Sequence, residues 1–389
     1  MSTEIPSRAW LEVSGSALLR NLQRVRTIAG PDAPLIPMVK ADAYGLGMAR
    51  AVSLMSREDP WGWGVACVAE GVTLREMEAT RPILVFSPAA PGEVARGVES
   101  SLTFCVSDVS FLKRVAREAV ARDRRVSVHL EVDTGMGRAG LDWRTAGEWG
   151  PAVDELVEGF DGRVQWEGTF THFHSADEAD DASSKLQVRR FEEVLQALPP
   201  GRGGMAHLCN SAGGLRMPHL AGRGTRPGIF LYGGVAGAGL PQPEEVVALR
   251  GRIALVREVP EGTTVGYGAT YRARRRERWA TVGIGYGDGL RRALSNRGQV
   301  LVGGKRVPIV GRISMDMTVV EITDLPTARP GDVVTFLGSD GDDRITLEEM
   351  ASLAETNNYE ILTGFTRRLP RIWSEASGRG ATEGNPRGG

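Results

Sequence analysis

The chain has 389 residues, 47 basic and 48 acidic side chains and a formal charge of -1. That balance argues against nucleic acid or an anionic membrane surface as a partner held by bulk electrostatics, while 41% hydrophobic content supports a sizeable core, enough for two domains or a large barrel with a smaller companion. Cys67, Cys105 and Cys209 lie far apart without a CxxC, which argues against a disulfide frame or a zinc knuckle. The start, MSTEIPSRAW, lacks the basic and apolar regions of a secretory leader, and no stretch approaches the roughly 18 apolar residues of a membrane span, so a cytoplasmic protein is expected.

Along the chain, short apolar runs alternate with helical patterns from about residue 35 to 233. The runs are LIPMV ending at Lys40, WGVACV (63–68), PILVFS (82–87), LTFCVS (102–107), VSVHLEVD (126–133), WEGTFTH (166–172), MAHLCN (205–210) and GIFLYG (228–233). Segments between them, such as FLKRVAREAVA and LQVRRFEEVLQAL, carry an apolar 3.6 period. Eight such alternations suggest a parallel (β/α)₈ barrel of the TIM type over residues 1–245, although strand count alone leaves an open doubly wound sheet in play. Beyond residue 245 the pattern becomes strands and turns (IALVREV, RWATVGIGY, QVLVGG, VPIVGRI, MTVVEI, DVVTFLG) with one clear helix near 347–355, predicting a mainly β domain over 246–375. The remainder, 376–389, has almost nothing to bury and is expected to be a disordered tail.

In a barrel the active site lies at the C-terminal ends of the strands, and those ends hold the candidate chemistry. Strand one ends in Lys40, strand five runs into Asp133 and Arg138, strand six ends in His172, strand seven in Asn210 and Ser211, and Arg226 precedes strand eight. Only four of the 47 basic residues are lysines (Lys40, Lys113, Lys185, Lys305). Arginine serves wherever a bare charge suffices, so a retained rim lysine points to an amine that can lose its proton and attack a carbonyl. GMGRAG (135–140) matches GxGxxG, but it follows the fifth strand and lacks an acid at the tip of the next, as a dinucleotide site would require. His172 and His174 with Asp177 form too thin a set for a metal site, so none is expected, and Cys209 reads as packing.

Together these residues resemble the alanine racemase family, which uses pyridoxal 5'-phosphate, from about residue 9 to 373. MVKADAYG (38–45) is similar to its cofactor-lysine motif, VDTGMGRAG (132–140) to its substrate-carboxylate loop, THF (171–173) to its ring-stacking histidine, and NSAGG (210–214) with RPGIFLYG (226–233) to its phosphate and pyridine-nitrogen sites. GYGATY (266–271), IGYGDG, GRISMDM (311–317) and TNNYEI (356–361) resemble its β-domain signatures.

The resemblance implies a homodimer with shared active sites, interconverting L- and D-alanine to supply peptidoglycan. Lys40 would hold the cofactor and serve as base on one face of the substrate Cα, and Tyr267 from the partner chain would serve the other. Tyr44, Asn210, Ser211, Gly228, Ile229 and Tyr359 would hold the phosphate end, His172 would pack on the ring, and Arg226, supported by His207, would face the ring nitrogen and keep it largely unprotonated. Arg138 and Met315 would receive the substrate carboxylate, with Asp316 and Tyr286 at the entrance. Two departures stand out: Glu131 occupies the place of a frequently carbamylated lysine, where its carboxylate could orient Arg138, and Leu46 replaces a common histidine. The competing readings are a racemase of other or broader substrates, a non-enzymatic cofactor carrier, and a barrel-type decarboxylase. A carrier would lack the β domain and Tyr267, and a decarboxylase would need motifs of its own that are absent here.

Overall fold

The computed structural model describes residues 7–374, so the expected tail lies outside the described residues. Parallel strands follow one another around a ring. Residues 35–38 bridge through Met38 to Gly64 of Trp63–Val65, and Ile83–Val85, Thr103–Val106, Val126–Asp133, Val164–Phe170 and Met205–His207 continue the order. Cys209–Asn210 prolongs the seventh strand and pairs with Thr225–Arg226, and Thr225 bridges back to Leu35. The ring is the eight-stranded barrel. Its strands are buried on both faces, which is why they read as short β-branched runs rather than alternating ones.

The surrounding helices form by ordinary means. Asp108 caps Val109–Ala121 by accepting from Phe111 N at 2.8 Å, and Phe111, Leu112, Val115 and Ala119 supply the buried stripe. Inside the ring sits a separate cluster of Ile36, Leu84, Cys105 and Phe170, flanked by Trp61, Phe86 and Met205.

Two segments depart from the sequence expectation. GIFLYG is not a strand: Leu231 N donates to Gly228 O (2.8 Å) and Tyr232 N to Ile229 O (3.1 Å) in tight buried turns, and strand eight is Thr225–Arg226. A continuous apolar run has no period to separate a buried strand from a buried turn. Arg226 therefore lies on the strand instead of before it. Ala9–Ser14, grouped by sequence with the barrel, pairs antiparallel with Val247–Val259 and parallel with Arg371–Ser374 in the second sheet. The helix that follows, Gly15–Ala29, returns to the barrel and packs beside Met48–Met55 and Pro218–Ala221, over the seam between strands eight and one.

The second sheet has nine strands with Val247–Val259 as its spine. Beside it lie the expected helix, Leu347–Leu353, and a second one, Asn358–Thr363, capped by Asn357, whose side chain accepts from Glu360 N at 2.9 Å. This second helix carries Tyr359 to the barrel rim. Among the described residues no helix is long and apolar enough to cross a membrane.

Candidate active site

A cleft of about 630 Å³ opens at the C-terminal ends of the barrel strands. It gathers Lys40, Tyr44, Glu131, Arg138, His172, Asn210, Ser211, Arg226, Gly228, Ile229 and Tyr359, all singled out from sequence, with Met38, Phe86 and Phe170, which were not. Lys40 opens on this space, and its amine has no hydrogen-bond or ion-pair partner among the described residues. Desolvation by the cleft walls, then the positive charges of Arg138 and Arg226, push its pKa below the usual lysine value, against the opposing pull of Glu70. A lysine whose pKa is lowered in a cleft holds a larger share of the free amine that nucleophilic attack needs.

The chain just after Lys40 is unusual. Ala41, Asp42, Ala43 and Tyr44 all have φ between 52° and 56°, a full turn of left-handed helix without a glycine. Each such residue costs roughly 1–2 kcal/mol, so outside contacts must hold the turn. Glu70 accepts from Ala41 N (2.7 Å) and Ala66 N (2.8 Å), and Asp42 accepts from Met48 N (2.7 Å). From the second sheet, Arg371 donates through Nε and Nη2 to Gly45 O at 3.0 and 2.8 Å. The turn places Tyr44 against Tyr232, ring centroids 4.6 Å apart, where burial raises the pKa of its hydroxyl. Leu46 is completely buried and belongs to the core.

Arg226 is 3% exposed, and four of its five N–H groups are spoken for. Nη1 donates to His207 O (2.8 Å) and His207 Nδ1 (2.7 Å), and Nη2 to Thr171 O (2.8 Å) and Leu208 O (3.1 Å). Only Nε–H has no partner among the described residues, and Arg226 lines the cleft. Burial lowers its pKa to about 10, which still leaves it charged at neutral pH. His207 lies beneath Arg226 and outside the cleft, stacked on Phe170 with centroids 5.0 Å apart. Burial and the charges of Arg226, Arg138 and Lys40 lower His172 to about 3, so it is a neutral ring. His174, by contrast, is exposed and bonds Ser175 at 2.8 Å.

The 133–140 loop is shaped by Asp133, whose Oδ1 accepts from Gly135 N (2.9 Å) and Gly137 N (3.0 Å). A Cβ on Gly140 would sit 2.5 Å from Asp133 N, so the glycines serve the turn. At its tip Arg138 has no hydrogen-bond or ion-pair partner among the described residues. Glu131 does not reach it directly. Its Oε2 accepts from Ser107 Oγ at 2.8 Å, Arg138 acts on it through space, and burial raises its pKa. Buried Gln187 joins this loop to the histidine strand, donating to Thr134 Oγ1 (3.1 Å) and His172 O (3.0 Å). A polar residue on an otherwise apolar helix stripe was its only sequence signal; Glu70 and Arg371 had none.

At the opposite end, Gly228 N donates to Ser211 Oγ (2.8 Å), and a Cβ on Gly228 would fall 2.1 Å from the Tyr44 hydroxyl. Asn210 caps the short helix that Ser211 opens. The cleft thus offers a hydroxyl-lined cradle at one end, one unpaired Arg226 N–H beneath, a neutral imidazole, and a lysine of depressed pKa. This donor set fits pyridoxal phosphate, whose phosphate, ring nitrogen acceptor, ring face and aldehyde need those four things.

Tyr267, Tyr286, Met315 and Asp316 are not brought into the cleft of their own chain. They lie on loops of the second sheet, with Tyr267 68% and Met315 52% exposed.

The N-terminal domain model of alanine racemase matches residues 13–236 and its C-terminal domain model matches 246–373. The alanine racemase of Desulfosudis oleivorans is 36% identical over 379 residues, covering 95% of this chain and 97% of its own. Among solved structures, the alanine racemase from E. faecalis superposes with a TM-score of 0.87 at 32% identity, over 96% of this chain and all of that one. The alanine racemase from Bartonella henselae, solved with covalently bound pyridoxal phosphate, does so with a TM-score of 0.84 at 26% identity, over 95% of this chain and all of that one.

Proposed function

The chain belongs to the alanine racemase family and is a pyridoxal-phosphate-dependent isomerase; we propose the following division of labour in its interconversion of L- and D-alanine. Lys40 would hold the cofactor and would move a proton to or from one face of the substrate Cα. Its lowered pKa and unpaired amine support this role. Pyridoxal phosphate, when bound, supplies the electron sink for the charge that develops at Cα. Arg226, whose Nε–H is unbonded among the described residues, would face the ring nitrogen of the cofactor and, holding its own proton, would keep that nitrogen largely unprotonated. This limits the sink and suppresses transamination. Neutral His172 packs against the ring, and Tyr44, Asn210, Ser211, Gly228, Ile229 and Tyr359 surround the phosphate end. Arg138 receives the substrate carboxylate, with Glu131 as the anion that keeps its charge in place.

Inversion needs a second proton carrier on the opposite face. Among the described residues of one chain's cleft, burial raises the hydroxyl pKa values of Tyr44 and Tyr359 and lowers His172 to about 3, and Glu131 is bonded to Ser107, which leaves Lys40 as the proton carrier assigned here. The exposed Tyr267 loop supports the reading that a second copy of the chain supplies it, with Met315, Asp316 and Tyr286 beside it at the entrance. The three unpaired cysteines support a cytoplasmic setting, and the D-alanine made there would serve cell-wall precursor supply.

The observation that carries the proposal is the convergence of Lys40, Arg138, His172 and Arg226 on one cleft. The test is a panel of L-amino acids incubated with the purified holoenzyme and scored for racemisation. Alanine should dominate, and a holoenzyme that leaves L-alanine unchanged would refute the assignment.

A further inference from the structure

The loop bearing Tyr286 and the turn bearing Met315 meet through their backbones. Tyr286 N donates to Ser314 O (3.0 Å) and Gly287 N to Met315 O (2.8 Å), and Ser314 N closes the turn on Met317 O at 3.0 Å. Among the described residues every peptide bond is trans, and in a trans peptide the N–H points opposite to the C=O of the same unit. With the Ser314 and Met315 carbonyls drawn toward the 285–288 loop, the N–H groups of Met315 and Asp316 must aim the other way. Neither N–H has a hydrogen-bond partner among the described residues, and Met315 is largely exposed. Two successive outward N–H groups have the shape that receives an anion.

The aim of that turn depends on one carboxylate. Asp288 is fully buried; its Oδ2 accepts from Gly285 N (3.0 Å), and its Oδ1 lies 2.6 Å from Arg8 Nη2 and 3.4 Å from Arg368 Nε. Arg368 then reaches the turn itself, donating through Nη2 to Asp316 Oδ1 at 2.6 Å, while Arg8 Nη1 donates to Asp316 O at 3.3 Å. Thr366 holds the same loop, donating to Gly287 O and Asp288 O, both at 3.0 Å. A lone exposed pair such as Arg368–Asp316 would contribute little. Here the arginine bridges an exposed carboxylate to a buried one, and two arginines answer two acids, so the buried charge is paired. Gly287 is part of the fit, since a Cβ there would fall 2.3 Å from Arg368 Nη1 and 3.0 Å from Met315 O. Arg8 and Arg368 lie just before Ala9–Ser14 and Arg371–Ser374, which pair in parallel, so the clamp is rooted in the second sheet, and none of its members lines its own chain's cleft.

We propose that Arg368 is a positioning residue that acts in trans. Through Asp288 and Asp316 it fixes the turn whose Met315 and Asp316 N–H groups receive the substrate carboxylate in the cleft of a second copy of the chain, beside that copy's Arg138. The proposal rests on the reading that sites are shared between copies. Asp316 then serves the substrate through its backbone, its side chain being engaged by Arg368.

The test reads KM in homodimers and in mixed dimers of the holoenzyme. The Arg368→Met homodimer should show KM for alanine raised about tenfold with kcat within about twofold of wild type, the loss expected when one charge-assisted bond no longer aims the receptor. Arg8 still answers Asp288 in this variant, so the loop keeps its anchor. Arg368→Lys, whose point charge cannot bridge both acids, should raise KM about threefold. Mixed dimers then show which site carries the defect, with Lys40→Ala silencing the other. When Lys40→Ala and Arg368→Met share one chain and the partner is wild type, the surviving site faces the altered turn, and KM should match the Arg368→Met homodimer. When the two substitutions lie on opposite chains, the surviving site faces an unaltered turn, and KM should return to wild type. A wild-type KM in the Arg368→Met homodimer, a defect confined to the cleft of the chain that carries Arg368→Met, or equal defects in both mixed dimers overturns the proposal. Lys40→Ala and Tyr267→Phe chains that exchange yet fail to complement overturn both the proposal and the shared-site reading. Chains that complement while the KM defect stays in cis overturn the proposal alone.

Discussion

The cleft at the barrel rim and the loops on the second sheet carry complementary chemistry in opposite states of exposure. In the cleft, the groups that must not move are buried and bonded: Arg226 by four acceptors, the turn after Lys40 by Glu70 and Arg371. The loops bearing Tyr267, Tyr286 and Met315 face solvent, yet they are built as tightly. A Cβ on Gly285 would fall 2.2 Å from Ser314 O, Tyr286 N and Gly287 N donate to Ser314 O (3.0 Å) and Met315 O (2.8 Å), and fully buried Asp288 pairs with Arg8 at 2.6 Å. Exposure is therefore not slackness here. A hydrogen-bonded loop displaying tyrosine and methionine to water is what the proposed sharing of sites between two copies would cover, and the cleft that lacks those residues is what it would complete.

The sharpest way to break that pairing is to remove one member from each region. Lys40→Ala should abolish racemisation in both directions, by roughly 10⁴-fold or more, and abolish the visible absorbance of bound cofactor. Tyr267→Phe should cost about 10²- to 10⁴-fold, leave that absorbance in place, and slow Cα deuterium exchange unequally from the two enantiomers. Mixing the two inactive variants decides whether the regions meet between copies: shared sites give each mixed dimer one intact site, so activity should recover to about a quarter of wild type. No recovery after demonstrated subunit exchange would place both groups in one chain's site.

The cleft was legible because barrel geometry puts strand ends together, so Lys40, Arg138, His172, Asn210 and Arg226, scattered over nearly 190 positions, could be assigned to one rim from strand order alone. What holds them was far less visible. The left-handed turn at 41–44 contains no glycine to announce it, and its supports come from residues 70 and 371 through contacts with no local pattern. GIFLYG misled because it is a buried apolar run without a period, and Ala9–Ser14 because a strand's own residues do not name its partners. The exposed loops were legible as motifs, and the resemblance already implied that Tyr267 serves a partner's site; their separation from their own chain's cleft has no local sequence signal.

Arg371 tests how far the two regions are mechanically joined. All five of its N–H groups donate to backbone carbonyls, those of Gly45, Phe365, Thr366 and Leu369. Arg371→Ala should lower unfolding stability by about 2–4 kcal/mol and, by loosening the turn that carries Tyr44, weaken cofactor retention about tenfold. Arg371→Lys, a point charge without the planar fork, should recover only part of either. Lost stability with unchanged cofactor affinity would show that the clamp serves the fold alone.

The smallest effect expected is at Glu131, and it should have opposite signs in activity and stability. Its carboxylate is buried, bonded to Ser107 and only electrostatically linked to Arg138, and its pKa lies above the usual glutamate value because desolvation outweighs both. A carboxyl whose folded pKa is raised holds more protons folded than unfolded, so its contribution to stability falls as pH rises from the unfolded value of about 4.5 through the folded one. At neutral pH the charge is thus a burden on the fold. Glu131→Gln keeps an acceptor for Ser107 and removes that burden, so thermal stability at pH 7 should be equal or slightly higher than wild type, and the difference should shrink toward pH 4. KM for alanine should rise about three- to tenfold, because Arg138 loses the anion that favours its placement. A buried carboxylate that costs stability is explained here by its effect on the site, and an unchanged KM in Glu131→Gln would remove that explanation, leaving Arg138 to be held by its loop glycines and Asp133.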